Sequence, residues 1–164
     1  KKQLLETPVC ENLMVGLAMG MSLEGFRPIV CFERHDFLLV AMDAIVNHLD
    51  KLPKLSGGQF TFPVVIRAII GNNEPLDPGA QHTQDFSDVI DYNTDILTYR
   101  CTADDIIRAA YQKAAITANP IVIVEHKSLY MLEVPSVMDK SPALGGECNQ
   151  QVTPSQPCPQ ADTT

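Results

Sequence analysis

Apolar residues fall along this chain in two rhythms. Four short runs are continuous rather than alternating: residues 28–33, 63–70, 95–99 and 120–125, each bounded by Pro, Gly, Asn or Asp. Continuous runs of this kind read as strands buried on both faces. Helical patterns separate them. Residues 11–24 form one, closed by Gly25. A second, about 37–52, places Phe37, Val40, Ala41, Ala44, Ile45 and His48 on one stripe. A short one lies near 83–90, and a fourth, 103–118, carries Ile106, Ile107, Ala110, Ala114 and Ala115. Strand and helix alternate throughout, which predicts an α/β fold with a mainly parallel sheet and right-handed crossovers. Parallel strands place ligand sites at their carboxyl ends. Those ends are expected at 33–37, 71–82, 101–104 and 125–130.

Composition then sets limits. At 164 residues the chain is one domain by size, with 45% hydrophobic and 20% charged residues. Its net charge of −8, with no basic run, speaks against nucleic acid, which needs clustered Lys and Arg. The longest apolar stretch, 13–23, is about half the length that crosses a bilayer, so no membrane partner is expected. No secretory signal is legible after Lys1 and Lys2. The five cysteines have no C-x-x-C pair, so a zinc site is not expected. Cys31 and Cys101 read as buried free thiols, which fits a reducing, cytoplasmic-type compartment. Residues 141–164 are rich in Pro, Gln, Ser and Thr. The expected organisation is therefore a folded domain over 1–138 and a disordered tail or linker over 139–164.

Three constellations could carry chemistry. In Glu6-Thr-Pro-Val-Cys-Glu11, the last residue falls in the first turn of a helix. A carboxylate there either favours the helix dipole, by up to about 1 kcal/mol, or serves a ligand. The same helix carries Gly16 and Gly20, a spacing that usually means tight helix packing. In Phe32-Glu-Arg-His-Asp-Phe37, two aromatics and His35 stand at a strand end. They make either a ligand wall or a turn with Asp36 as helix cap. The third is the Gly- and Pro-rich loop from Gly71 to Gln84, of a length that is often functional. In it His82 is either a proton donor or anion ligand or a capping residue. There is no phosphate-binding glycine loop and no G-x-S-x-G elbow.

Taken in order, the motifs resemble one family. Thr7-Pro-Val-Cys-Glu11, the Gly/Ala-rich helix, Gly25-Phe-Arg-Pro-Ile29, the aromatic strand end and Asp43-Ala-Ile-Val-Asn47 follow one another. Then come Ser56-Gly-Gly58, Pro63-Val-Val-Ile-Arg67, Gly79-Ala-Gln-His82-Thr-Gln84 and Asn119-Pro-Ile-Val-Ile-Val-Glu125, with Leu129-Tyr130 closing the series. This series resembles the pyrimidine-binding domain of beta subunits of thiamine-diphosphate-dependent 2-oxoacid dehydrogenases, in the transketolase-like superfamily. The match runs over about residues 5–131.

The resemblance implies a three-layer α/β sandwich of the thiamine-diphosphate-binding fold, pyrimidine type. It implies that Glu11 hydrogen-bonds the cofactor's aminopyrimidine and so promotes loss of the thiazolium proton, ahead of oxidative decarboxylation of a 2-oxoacid. It implies that Phe37 packs on the pyrimidine, with Glu33 and His35 beside it, and that His82 faces the substrate or lipoyl group. The carbonyls of Val64, Ala114, Thr117 and Asn119 match positions that can hold a structural potassium ion. Magnesium and the diphosphate belong to a partner, an alpha-type subunit, because no G-D-G…N motif occurs here. Homodimerisation within a heterotetramer and contact with a lipoyl acyltransferase are further implied partners. A eukaryotic member would sit in the mitochondrial matrix or plastid.

The chain also departs from the family pattern. Glu33 and His35 stand where the family is usually apolar, and Thr117 where an acidic residue is common. The family's first strand and helix do not precede Lys1 in this sequence, and its carboxy-terminal domain does not follow Asp139. Two other readings stay open: a transketolase-like transferase component, and a non-catalytic fragment or interaction module that keeps the fold.

Overall fold

A computed structural model of the chain describes residues 3–71 and 77–132. The expected tail, the end of the expected domain at 133–138 and the loop segment 72–76 lie outside the described residues. Four strands form one sheet, β1 Ile29–Phe32, β2 Val65–Ile70, β3 Leu97–Cys101 and β4 Ile121–His126, in the order β1-β2-β4-β3. Every pairing is parallel. The central strands β2 and β4 are the most buried of the four, as a sheet covered on both faces requires.

Helices cover both faces. Helix α1, Glu11–Leu23, lies with the 35–55 region on one side. There Val15, Ala18, Leu38, Ala41, Ile45 and Leu49 meet Phe32, Ile66, Ala68, Val122 and Val124. Helix Asp104–Ile116 covers the other side, where Ala110 and Ala114 pack on Val65, Ile121 and Ile123. The alternation of side chains along each strand sorts these two sets. The observed architecture is therefore the expected α/β sandwich.

Helix α1 ends where Gly25 predicts. Gly25 takes φ +86, donates to the Ser22 carbonyl, and is followed by a Phe26 to Met21 bond. That paired closure favours glycine. The expected strand at 95 starts two residues later, because the Asp95 amide donates to Asp50 Oδ1 at 3.0 Å. The expected helix at 83 starts only at Ser87, giving α3, Ser87–Asn93. Asp85 Oδ1 takes the Ser87 amide at 2.8 Å and holds residues 85–87 in a turn.

Three expectations need correction. The single helix over 37–52 is instead a 3₁₀ segment His35–Ala41, a π-helical segment Ala44–Asp50 and a short helix α2, Lys51–Leu55. Its buried stripe begins His35, Leu38, Ala41, every third residue, which is the 3₁₀ period. Phe37, Val40 and His48 consequently face outward. Cys31 is exposed, because no helix among the described residues covers that side of edge strand β1; Cys101 is buried as expected. Gly16 and Gly20 are exposed, and nothing described lies within 4 Å of where a Cβ would stand at either. With Leu13 and Leu17 they form an open apolar face on α1.

Candidate functional site

The parallel sheet fixes where the candidates meet. Only residues 24–28 join α1 to β1, so the helix runs back along the sheet and its start lies at the strands' carboxyl edge. The side chain of Asn12 anchors it there, accepting the Ala44 amide at 3.1 Å. Glu11, next to it, is half-buried in the first turn. Among the described residues no hydrogen bond or ion pair engages its carboxylate. The preceding residue gives the helix no side-chain cap, so the carboxylate lies beside open amides.

From the same edge, the segment after β1 fastens the histidine loop one residue at a time. His35 Nδ1 accepts the Phe86 amide at 2.9 Å. Asp36 Oδ1 accepts Gln84 Nε2 at 2.9 Å. Phe37 meets His82 edge to face, with ring centroids 5.3 Å apart. Three successive residues thus hold positions 86, 84 and 82. Buried side-chain atoms without a partner among the described residues are His35 Nε2, Asp36 Oδ2 and His82 Nδ1. All three belong to this clamp. Leaving buried polar atoms unmatched is unfavourable, and these three unmatched atoms lie in one place.

His35 is fully buried, and burial lowers its pKa against the opposing pull of Asp85 and Asp36. A neutral ring that accepts at Nδ1 carries its proton on Nε2. The 3.5 Å approach of Nδ1 to Asp85 is therefore no salt bridge. Asp85 is itself held below its ordinary value: burial would raise it, but the Ser87 bonds outweigh burial. His35 thus acts one layer behind the edge, holding the loop. Glu33 is exposed, and none of the described residues bonds to it.

The structure gathers Glu11, Phe37 and His82 at one edge. It leaves the four potassium candidates at the opposite edge, where β2, β4 and the end of helix Asp104–Ile116 meet. Three of their four carbonyls already accept hydrogen bonds there. Val64 receives the Ile121 amide at 3.0 Å. Ala114 and Thr117 receive Arg27 Nη1 at 3.1 and 2.5 Å. A 430 Å³ cleft opens at this edge, between Asp50, Lys54, Lys113 and Thr117. It lies away from the strand ends where parallel sheets bind ligands. No group of three or more His, Cys, Asp or Glu among the described residues is placed to hold a metal. No helix among them is long and apolar enough to cross a membrane.

One cluster was not anticipated. Glu125, buried in β4, is held by Arg67 of β2 at 2.8 and 3.0 Å and by Tyr111 at 2.8 Å. Tyr130 bonds to it as well. The signal was available in the sequence: each apolar central strand is interrupted by one charge, and the charges are opposite.

Fold and edge together define an α/β domain whose site opens where parallel strands end. The family model described as transketolase, pyrimidine binding domain, matches residues 1–133. The chain belongs to this family, which bears out the resemblance read from the motifs. The beta-3 subunit of the chloroplastic pyruvate dehydrogenase E1 component of Arabidopsis thaliana is 34% identical over 131 residues, 80% of this chain and 32% of that protein. The corresponding beta subunit of Staurastrum punctulatum is 32% identical, over 80% of this chain and 39% of that protein. The chain thus spans about a third of the length of the curated relatives it matches. A solved split-gene transketolase, an inactive beta4 tetramer, superposes with a TM-score of 0.58 at 21% identity, covering 80% of this chain and 38% of that one. At that identity the likeness shows the fold.

Proposed function

We propose that this chain supplies the pyrimidine-binding half of a thiamine-diphosphate-dependent 2-oxoacid dehydrogenase, with Glu11 as the residue that engages the cofactor. The observation that carries the reading is the carboxyl edge itself. Glu11 stands there half-buried and without a partner among the described residues, and the clamp of His35, Asp36 and Phe37 presents His82 beside an exposed aromatic ring. The residues fit an aminopyrimidine. A carboxyl group shielded from bulk water shares a proton with a ring nitrogen more readily than a solvated one does. An exposed phenyl ring offers it a flat apolar wall. Bound thiamine diphosphate supplies the carbanion chemistry of decarboxylation. Glu11 holds the proton at the pyrimidine nitrogen, Phe37 fixes the ring plane, and His82 faces the substrate.

The other half of the site belongs to an alpha-type partner that holds magnesium and the diphosphate. The open face of Leu13, Gly16, Leu17 and Gly20 on α1 supports assembly. Small residues there let another chain's backbone approach closely. A heterotetramer with two copies of this chain, served by a lipoyl acyltransferase, belongs to the same proposal. The chloroplastic relatives favour an organelle such as a plastid as its place of work.

The test is decarboxylation of a 2-oxoacid by the complex with a cognate alpha-type subunit, thiamine diphosphate and magnesium. Glu11→Gln is expected to lower the rate by roughly 100-fold or more. A variant as active as the parent complex would reject the assignment. Turnover of a ketose phosphate in place of a 2-oxoacid would move the chain to transketolase-type transfer.

A further inference from the structure

Two of the carbonyls matched to a potassium site already hold a cation. Helix Asp104–Ile116 ends without a partner for its last carbonyls, as every α-helix does, and its carboxyl end is the negative end of the helix dipole. Arg27, in the turn before β1, reaches that end. One guanidinium nitrogen donates to Ala114 O at 3.1 Å and to Thr117 O at 2.5 Å, across 87 and 90 residues of chain. Val64 O, the third carbonyl, is engaged by the Ile121 amide within the sheet. The residues present therefore do not fit a potassium ion. An ion on this set would share its oxygens with a fixed positive charge a few ångström away, and like charges at that distance repel.

We propose that Arg27 is the resident cation of this carbonyl set, and that the chain uses its guanidinium where the resemblance implies potassium. The contact spans the amino edge of the sheet. Pro28, beside Arg27, accepts the Val65 amide, and Val64 in turn accepts the Ile121 amide. Arg27 closes the same row onto the end of helix Asp104–Ile116. Thr117 suits this arrangement, because an uncharged residue leaves the guanidinium to satisfy the carbonyls. The inference does not depend on the proposed activity, and its test reads stability rather than turnover.

The experiment is thermal unfolding of the full 164-residue chain, followed by circular dichroism, in potassium chloride and in choline chloride at equal ionic strength. The parent chain is expected to melt at the same temperature in both. Arg27→Ala is expected to melt about 4 °C lower in choline and to recover part of that loss in potassium. Arg27→Lys, which keeps the charge, is expected to melt between the two without potassium sensitivity. A parent chain that potassium stabilises over choline would overturn the proposal. So would an Arg27→Ala loss of equal size in both salts, which would make the contact a mere staple. Should Arg27→Ala fail to fold, the parent chain and Arg27→Lys decide the question alone.

Discussion

Arg67 and Glu125 face one another across the neighbouring strands β2 and β4, with the guanidinium Nη2 2.8 Å from the carboxylate Oε2. Glu125 is buried, whereas the Arg67 side chain keeps 27% of its exposure. The two removals are therefore unequal. Arg67→Met leaves a buried carboxylate with Tyr111 and Tyr130 to serve it among the described residues, and is expected to destabilise the fold by about 3 kcal/mol. Glu125→Gln leaves a guanidinium that water can reach, and is expected to cost about half as much. The double variant is expected to lose less than the sum. Midpoints of urea unfolding measure all three.

The same carboxylate sets the acid limit. Burial alone would raise its pKa, but the bonds from Arg67, Tyr130 and Tyr111 outweigh burial and hold it below its ordinary value of 4.5. A folded-state value below the unfolded one contributes stability above about pH 4.5, and that contribution is lost as pH falls through the folded value. Glu125→Gln is expected to flatten this part of the stability curve, which unfolding midpoints across the acid range would show.

His35 adds a second slope at milder pH. Its pKa is lowered by burial from the ordinary value of 6.5, so the unfolded chain takes up a proton that the folded chain resists. Stability is full above pH 6.5 and declines as pH falls from there. His35→Phe removes the titrating ring. It is expected to abolish the decline between about pH 7 and about pH 5, while leaving the Phe86 amide without its acceptor. Melting temperatures of both chains at the two pH values check this.

Gly71 has φ +66, and a Cβ there would stand 2.3 Å from His126 Nε2. Backbone strain and collision combine, so Gly71→Ala is expected to cost about 2 kcal/mol. Adding His126→Ala clears the collision and is expected to recover about half. A melting temperature unchanged by Gly71→Ala would contradict the geometry.

In the proposed complex with an alpha-type subunit, Gln84→Ala cuts the Asp36 contact that holds the loop without touching Phe37 or His82. The expected outcome is a fall in kcat of about tenfold or less, with cofactor affinity unchanged. Phe37→Ala is expected to weaken thiamine diphosphate binding instead. Steady-state kinetics against substrate and cofactor separate the two.

Much of this was legible in the residues themselves. Four continuous apolar runs became four parallel strands, and Gly25 closed α1 where expected. The 35–55 region was not legible, because Leu38 to Ala41 and Ala44 to Val46 are almost uniformly apolar. Such a stretch fits a period of three as well as 3.6, and packing of His35, Leu38 and Ala41 on the sheet chose the tighter winding. Cys31 misled for a related reason: edge strand β1 has an apolar sequence but only one face covered among the described residues. At the site, Glu11, Phe37 and His82 were named from motifs. The bonds of His35 and Asp36 to the loop were not, since no spacing rule links residues 48 to 51 positions apart.

The Arg27 contact has a consequence for how the fold meets its surroundings. A diffusible ion occupies its site according to its abundance in the medium, so a structure that borrows one inherits the ionic state of its compartment. A side chain arrives at a fixed effective concentration, set by the chain that tethers it. This domain therefore carries its own counter-charge into any compartment, and potassium does not regulate the closure of its sheet edge.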